Sequence, residues 1–494
     1  MKHSGGALLS SIIIDHTSSK PKNIQIYMEI RDIILSGGLK AGERLPASRT
    51  LAEEMSVSRT TVVSAIDRLI SEGLVDARSG SGTFVSDVLA KTRPQQVSAE
   101  ERSDKPQNET AVSAAMMTAI GDFAARDKLP AEPKAFITGL PALEAFPMSQ
   151  WARLSAKNWR GQRSDVMGYG EPLGLMQLRR AIASHVNASR GIKCDPEQIF
   201  ITGGAQQAFH LIGSVLLNPR DNVWIENPGA VGARNGFIAA GAHLVPVPID
   251  EEGIAVDEGL RLAPEFKLAF VTPSHQQPLS MVMSLARRFS LLEAAEQAGA
   301  WIVEDDYDSE FYFGGQPLPT LKSVDAGGRV IYVGTFSKSL FPALRIGFIL
   351  SPPGLVTAFE KLFNSFLPGL PTVIQKTVAD FMDEGHFATH IRRMRAIYAA
   401  KYKTLKEAAD LHLDDYLSLQ QTQSGLHTVA LLSKSLEEAA VVSALKDAGI
   451  VVNPLSRYAI APIKQQGIAL GFGAVNPIEI QSGVRRMADV LKAL

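Results

Sequence analysis

The sequence has a single cysteine in 494 residues, Cys194, so no disulfide can form within the chain. No Cys/His pairing surrounds Cys194 in GIKCDPEQIF, which argues against a catalytic thiol. The chain also lacks a run of about 18 apolar residues, and the short stretch Ile12–Ile14 ends at Asp15, too early for a secretory signal. We therefore expect an intracellular, cytoplasmic protein that does not span a membrane.

An excess of charge of one sign is missing as well. The chain has 50 lysines and arginines against 51 acidic residues, a net charge of −1, and residues 20–90 hold nine of each. A nucleic-acid-binding function must therefore depend on where individual cations lie, because phosphate contacts are local. The length exceeds the roughly 250–300 residues that one hydrophobic core serves, so two or more domains are expected.

Residues 20–87 carry three amphipathic helical patterns followed by a hairpin pattern. Gly37 and Gly38 end the first helix, Ser58 is a plausible N-cap of the third, and LVDARSGSGTFV is typical of two short strands around a glycine-rich turn. The expected inward positions are Ile26, Ile30, Ile33 and Ile34 in the first helix, Leu51, Ala52 and Met55 in the second, and Val62, Ile66 and Leu69 in the third.

Polar side chains gather at the start of the third helix, the end that enters the major groove in a helix-turn-helix. They are Ser58, Arg59, Thr60 and Thr61. Arg44 and Arg49 flank the LPAS segment, where they are placed to grip phosphates, and the backbone near Gly80 and Gly82 is placed to approach a phosphate or the minor groove. A lone surface arginine is usually just solvated, but the set together favours contact with double-stranded DNA.

The composition changes after this segment. Residues 88–133 include KTRPQQVSAEERSDKPQNET, which is nearly free of large apolar residues, so we predict a flexible linker whose tail, residues 111–125, can be helical. Residues 134–494 alternate β-branched runs such as IFITGG, LAFVTP and VIYVGTF with amphipathic stretches. That alternation predicts βα units with a mainly parallel sheet.

Three predicted strand ends carry groups that suit a phosphorylated aldehyde cofactor such as pyridoxal phosphate. GTFSKSLFPALRIG places Lys338 seven residues before Arg345. In AWIVEDDYDSEF, strand alternation puts Asp305 and Tyr307 on one side and Asp306 on the other. In FITGGAQQAF, a glycine turn opens a helix whose free amides attract an anion. An acidic strand end can also be a metal site, but no histidine or cysteine cluster in the sequence supports one.

The segment from residue 41 to residue 85 resembles the winged helix-turn-helix of the GntR family of bacterial regulators. Its elements RLPASRTLA, VSRTTV and EGL, followed by GSGTFV, stand in the family's order and spacing. One departure is Ser56, where the family often has glycine in the turn between helices. The resemblance implies that this domain binds promoter DNA.

Further along, GYGEPLGLMQLRRAIASHV, IENPG, TPSHQQP, EDDYDSEF and GTFSKSLFPALRIGF resemble fold-type I aminotransferases, most closely the MocR-type regulators. The resemblance implies pyridoxal 5′-phosphate as cofactor, with Lys338 bonded to its aldehyde, Asp305 at the pyridine nitrogen and Tyr307 at the phenolic oxygen. It also implies a homodimer in which Tyr169 reaches the partner's phosphate. The residues implied around the phosphate are Gly204, Ala205, Gln206, Thr335, Ser337 and Arg345.

Several positions narrow this interpretation. Ala230 stands where the family commonly has a ring-contacting aromatic, Gln277 where aminotransferases carry asparagine, and Ser280 where glycine is usual. His275 either covers the cofactor ring or satisfies its own loop. Arg457, in NPLSRYAI, is aligned with the family's substrate-carboxylate arginine, although a chance surface arginine is the alternative. We expect the cofactor to be retained and efficient transamination to be lost.

The sequence thus predicts a multi-domain regulator rather than an enzyme: an α+β winged helix-turn-helix, then an α/β aminotransferase-like domain with a smaller C-terminal α+β subdomain. Its expected effector is a small amine or amino acid, or pyridoxal phosphate itself. One alternative is an active aminotransferase with an appended DNA-binding module, and another is a regulator that has lost its cofactor. Activation and repression are equally open.

Overall fold

The structure, a computed structural model, describes residues 12, 14–15, 17–78, 80–86, 112–125, 133–314 and 317–494. The chain divides into two units, Met1–Ala111 and Val112–Leu494. Within the described stretches, no helix has both the length and the apolar character needed to cross a bilayer.

The first unit packs three helices against a two-stranded hairpin: α1 (Lys22–Ser36), α2 (Ser48–Glu54), α3 (Arg59–Ser71), β1 (Val75–Arg78) and β2 (Gly82–Val85). The strands pair antiparallel, with Gly82 opposite Arg78. The predicted inward positions of all three helices lie in the core except Ile33, which is only partly buried. Tyr27 joins the core instead, and its hydroxyl donates to Glu72 at 2.7 Å. The predicted α+β architecture of this unit is confirmed.

Ser56 explains how the chain turns between α2 and α3. Its φ of 51° lies in the left-handed region, where a glycine would be free of the Cβ clash. Two residues later Ser58 caps α3 by accepting the amide of Thr61 at 3.2 Å. The departure at Ser56 therefore preserves the turn at a modest backbone cost.

The second unit is built on an eight-stranded sheet in the order β3-β10-β9-β8-β7-β4-β5-β6, in which β10 and β6 run antiparallel to their neighbours and the rest are parallel. Its central strands β7, β8 and β9 are almost wholly buried, as expected when helices cover both faces. The strands are β3 (Ile199–Thr202), β4 (Asn222–Asn227), β5 (His243–Asp250), β6 (Gly253–Ile254), β7 (Leu268–Val271), β8 (Trp301–Asp306), β9 (Val330–Thr335) and β10 (Gly347–Leu350).

Helices of the second unit pack around this sheet. Fully buried Trp224 of β4 stacks on Phe266 with ring centroids 3.8 Å apart, so aromatic packing holds the segment before β7 against β4. The helices in chain order are α4 (Ala114–Asp122), α5 (Met148–Trp159), α6 (Arg163–Met167), α7 (Met176–Arg190), α8 (Ala205–Leu216), α9 (Val231–Ala239), α10 (Val256–Leu262), α11 (Leu285–Ala298), α12 (Leu321–Val324), α13 (Phe336–Ser339), α14 (Val356–Phe366), α15 (Thr372–Asp383) and α16 (His386–His412).

A smaller antiparallel sheet follows, in the order β11-β12-β14-β13. Helix α16 packs against the last helix of the chain, which starts with a capping box between Asn476 and Glu479. The elements are β11 (Leu417–Leu419), β12 (His427–Leu432), α17 (Glu438–Asp447), β13 (Asn453–Pro454), β14 (Gly467–Gly471) and α18 (Pro477–Leu491). The predicted α/β domain with a smaller C-terminal α+β subdomain is confirmed.

Residues 112–125, which the sequence places in the linker, belong to the second unit, where they contact helix α9. Ser113 caps α4 by accepting the amide of Met116 at 3.3 Å. Ala124 exchanges two hydrogen bonds with the side chain of Asn235 in α9, at 2.9 and 2.8 Å. The hydrogen bonds to α9, rather than burial of apolar side chains, hold this segment, since Met116, Met117 and Ile120 of α4 are exposed. The described part of the predicted linker therefore contains a helix and a segment that is bonded to α9.

Candidate functional site

The start of α3 presents a compact polar surface. The Ser58 hydroxyl lies 2.7 Å from the hydroxyls of both Thr60 and Thr61. Arg59 is exposed, and its Nε donates to the hydroxyl of Ser48, the first residue of α2, at 3.3 Å. All four predicted groups therefore lie at one end of α3, and Arg59 is fixed relative to α2.

The hairpin brings a second cation to its turn. The exposed side chain of Arg44 lies over Gly82, since a Cβ added to Gly82 would meet its Nε at 2.8 Å. Gly80 and Gly82 have φ values of 74° and 115°, which glycine permits. The Ser81 amide donates to the Arg78 carbonyl at 3.0 Å and is engaged within the hairpin. Arg49 is exposed on α2.

Lys338 lies in the one-turn helix α13, directly after strand β9. Thr335 ends β9 and caps this helix by accepting the Ser337 amide at 3.2 Å, which fixes the lysine at the strand end. The Lys338 Nζ donates to the Gly139 carbonyl at 2.6 Å. Gly139 has a φ of 81°, which favours glycine, and a Cβ there would lie 2.8 Å from Nζ, so the lysine tip approaches the backbone of this loop closely.

Asp305, near the end of β8, is a buried carboxyl group. Its Oδ1 has no hydrogen-bond partner among the described residues. Burial raises the pKa of Asp305 well above its ordinary value, and the carboxylates of Asp306, Asp308 and Glu226 raise it further, while Lys338 lowers it. A buried carboxyl with a free oxygen is suited to a cationic or hydrogen-donating ligand.

Asp306 points to the opposite side of β8, as the strand alternation predicts. Its Oδ2 accepts from Arg190 Nε at 2.8 Å and from the Tyr332 hydroxyl at 2.5 Å, and Ser309 donates to its Oδ1. Adjacent aspartates therefore have different roles, because Asp306 is fully paired and Asp305 is not.

An anion cradle forms where β3 turns into α8. Gly204 has a φ of 103° and precedes the first turn of α8. Arg345, itself at a φ of 52°, lies close by, since a Cβ on Gly204 would meet its Nη2 at 3.5 Å. The amide end of α8, beginning at Ala205, and a guanidinium thus converge. The Gln206 side chain instead lies beside Gly232 of α9, which leaves only its backbone at the cradle.

A buried hydrogen-bond network surrounds His275. Its Nδ1 lies 2.8 Å from Asp308 Oδ1 and 3.0 Å from the Tyr307 hydroxyl, and its Nε2 lies 3.3 Å from Thr422 Oγ1. These contacts satisfy His275 within the protein. Burial raises the pKa of Tyr307 well above its ordinary value, so its hydroxyl stays neutral and able to donate.

His427 lies beside His275 with ring centroids 5.0 Å apart and the rings tilted by 50°, and burial lowers the pKa of His427 well below its ordinary value. The fold thus gathers the potential metal ligands of His275, Asp308 and His427 within 4.8 Å of one another. Sequence reasoning did not predict this grouping, because its residues are far apart in the chain. Two of these three residues, His275 and Asp308, already form a hydrogen bond with each other at 2.8 Å, which explains their close approach without a metal ion.

The three departures from the aminotransferase pattern have distinct settings. Ala230 is buried and precedes α9. The amide of Gln277, which is half-buried, donates to the Thr272 hydroxyl at 3.1 Å. Ser280 has a φ of 66°, which explains why glycine is usual there, and its hydroxyl donates to the His427 carbonyl at 3.3 Å.

The remaining two predicted residues, Tyr169 and Arg457, have different settings. Tyr169 is 95% exposed and makes no part of the pocket within one chain. Arg457 lies in the turn Leu455–Tyr458, where its Nη2 donates to the Ala125 carbonyl at 2.6 Å. The sequence reasoning missed Gly139, Glu226, Asp308, Thr422 and His427; only the glycine, in the ITGLP turn, carries a local signal.

Two family patterns match the chain. The pattern of bacterial regulatory proteins of the gntR family matches residues 23–85, and that of aminotransferase class I and II matches residues 141–467. Together they define the class of the protein, a regulator head joined to an aminotransferase-like unit.

Two curated relatives are similar to this chain over nearly its whole length, including both units. The probable rhizopine catabolism regulatory protein MocR of Rhizobium meliloti is 38% identical over 98% of this chain and 96% of its own. The regulator TauR of Rhodobacter capsulatus is 31% identical over 93% and 94%. The chain belongs to the MocR-type family of GntR transcription regulators.

Among solved structures, the α-aminoadipate aminotransferase LysN of Thermus thermophilus, complexed with N-(5′-phosphopyridoxyl)-L-leucine, superposes with a TM-score of 0.70. It is 27% identical and covers 77% of this chain and 99% of its own. The second unit therefore has the aminotransferase fold over almost the full length of such an enzyme.

Proposed function

We propose that this regulator binds pyridoxal 5′-phosphate in the second unit, senses an amine or amino acid there, and binds promoter DNA through the first unit. The observation that carries the proposal is the convergence of Lys338, the unpaired carboxyl of Asp305 and the Arg345 cradle at the strand ends of one sheet. Ligands of open α/β sheets bind at this edge. Its DNA target places the protein in the cytoplasm.

The residues present fit the cofactor. The free Oδ1 of Asp305 is buried where a ring N–H would satisfy it, and the glycine backbone at Gly204 leaves Arg345 and the α8 amides open to a phosphate. Lys338 Nζ donates to the carbonyl of Gly139, which positions the amine at the end of β9.

Each residue then has a defined task. Asp305 would hold the ring nitrogen, Tyr307 the phenolic oxygen, Lys338 the aldehyde, and Arg345 with the start of α8 the phosphate. When bound, the cofactor supplies an aldehyde that reacts reversibly with amines. Tyr169 would complete the phosphate site of a second copy in a homodimer, and Arg457 would receive the carboxylate of the effector.

Absorption spectroscopy tests the cofactor assignment. Purified protein mixed with pyridoxal phosphate should absorb near the visible edge, and Lys338→Ala should lose the covalently bound band while still folding. Lys322→Ala is a matched control, because Lys322 is a partly buried lysine outside this site. No absorbance in the wild-type protein would support the third interpretation, a regulator that has lost its cofactor.

A working aminotransferase is the second candidate, and the complete lysine, carboxylate and phosphate set favours it. Against it stand Ala230, which leaves no aromatic over the ring, and Gln277 in the place of asparagine. We therefore expect amino donors to shift the spectrum in a single turnover, with little keto-acid product. Sustained multiple turnover with an amino donor and a keto acid would establish the enzyme instead.

A further inference from the structure

A segment within the predicted linker, residues 122–124, is held by side chains of α9. Asn235 Oδ1 accepts the Ala124 amide at 2.9 Å, and Asn235 Nδ2 donates to the Ala124 carbonyl at 2.8 Å. Arg234 Nη2 donates to the Asp122 carbonyl at 2.8 Å. Three hydrogen bonds from two neighbouring residues therefore fix the backbone of residues 122–124 on the surface of the second unit.

A fourth bond ties the same segment to Arg457, the expected effector arginine. Its Nη2 donates to the Ala125 carbonyl at 2.6 Å. The turn that carries Arg457 also touches the ring side of the proposed cofactor site, because the Tyr458 carbonyl accepts the amide of Gly229, next to Ala230. We call residues 122–125 with Arg234, Asn235 and Arg457 the clasp.

We propose that the clasp is an internal competitor for the effector, a step that rests on the proposed function. The bond from the Arg457 guanidinium to the Ala125 carbonyl carries charge only on the donor, whereas a carboxylate adds an opposite charge and can pair with both arms of the guanidinium, which makes it the stronger acceptor. An effector carboxylate therefore takes Arg457 from Ala125 and weakens the hold on a segment whose chain leads directly to the first unit. The coupling is reciprocal: the clasp lowers effector affinity as much as the effector destabilises the clasp.

Asn235→Ala tests the clasp while leaving Arg457 intact. Two hydrogen bonds are lost, so hydrogen exchange of the amides at residues 122–125 in the full-length protein should rise about tenfold or more. Asn187→Ala is the matched control, an exposed asparagine on α7. Unchanged exchange in Asn235→Ala would show that the segment is not held as proposed.

Competition is tested with stable conjugates of the cofactor. N-phosphopyridoxyl-β-alanine and N-phosphopyridoxyl-L-leucine carry a carboxylate, and pyridoxamine 5′-phosphate is the matched probe without one. We expect a conjugate to speed exchange at residues 122–125 and pyridoxamine phosphate to leave it unchanged. Asn235→Ala should bind that conjugate about three- to tenfold more tightly, with pyridoxamine phosphate unaffected.

The outcomes separate this inference from the proposed function. If none of the three probes binds, the cofactor assignment itself fails. If pyridoxamine phosphate binds and both conjugates do not, or if a conjugate binds without changing exchange at residues 122–125, the cofactor site stands and the competition by the clasp is refuted.

Discussion

The two units hold their polar groups in opposite environments. At the start of α3, Ser58, Arg59 and Thr60 are exposed to water. At the strand ends of the second unit, Glu226, Asp305 and Asp308 are between 1% and 5% exposed. Water and salt screen the charge of the exposed arginine at α3. The buried carboxyl groups interact through the low-dielectric protein interior, where screening is weak.

The two units of one chain are therefore expected to respond to different solution conditions, the first to salt and the second to pH. Exposed arginines act on a charged partner through counterion release, so their effect depends on salt. Buried carboxyl groups change their protonation between folded and unfolded states, so their effect depends on pH.

Asp305→Ala should have the largest effect. Removing the proposed partner of a buried ring nitrogen costs about 3–5 kcal/mol, which corresponds to a loss of roughly 100-fold or more in pyridoxal phosphate affinity. Fluorescence or absorbance titration measures it. Asp489→Ala, at an exposed position on α18, is the control and should bind normally. Equal affinities in the two variants would contradict the role of Asp305.

Glu226→Gln should make the stability of the cofactor-free protein less dependent on pH. Burial raises the pKa of Glu226 to about 7, so the folded state binds the proton more tightly than the unfolded state. This group therefore destabilises the fold increasingly as pH rises from about 4.5 through 7. We expect the variant to match wild type at pH 4.5 and to exceed it by about 1–3 kcal/mol at pH 8.

Thermal unfolding of both proteins across this pH range measures the effect. Gln keeps an acceptor for the Thr272 hydroxyl, which donates to Glu226 at 2.6 Å, so packing is preserved. A constant difference at all pH values would place the cause in packing rather than in protonation.

Arg59→Ala should weaken DNA binding about tenfold and reduce the slope of log affinity against log salt by about one, and Arg49→Ala should act similarly. A DNA fragment from beside the protein's own gene is the probe. Arg163→Ala, exposed on α6 of the second unit, serves as control. Salt slopes that do not change in either variant would refute the placement of the DNA-contacting surface.

The smallest effects concern the two serines in left-handed conformations. Ser56→Gly relieves backbone strain in an exposed turn and should stabilise the first unit by about 0.5 kcal/mol. Ser280→Gly relieves similar strain but loses the buried bond to the His427 carbonyl, so it should be neutral or destabilising by about 1 kcal/mol. Calorimetry of the two single variants measures these changes in stability. If both variants are stabilised, the hydrogen bond of the Ser280 hydroxyl contributes little to the stability of the fold.

The sequence was informative where structure is decided locally. Apolar spacing predicted the buried faces of α1 to α3, and alternation in β8 predicted the opposite orientations of Asp305 and Asp306. The site residues themselves remain predictions, although the fold brings Lys338, Asp305, Gly204 and Arg345 to one sheet edge. Family patterns carried those assignments, because a strand end alone does not specify a ligand.

Long-range contacts were beyond sequence reasoning. Three hydrogen bonds join residues that are far apart in the chain, and neither periodicity nor local spacing predicts them. They are Gly139 with Lys338, Thr422 with His275, and Ala125 with Arg457. The bonded segment at residues 112–125 was missed for a related reason, since its docking depends on Asn235 rather than on its own composition.

The two-sided arrangement of β8 also limits which insertions and deletions the protein tolerates. The ion pair between Arg190 and Asp306 and the hydroxyl of Tyr332 anchor one side of the strand. A one-residue insertion or deletion would exchange the two faces, place Asp306 in the pocket and leave Asp305 against Arg190. The contacts of Asp306 thus fix the register of β8. They keep the carboxyl group of Asp305 on the side of the sheet where a ligand can bind it.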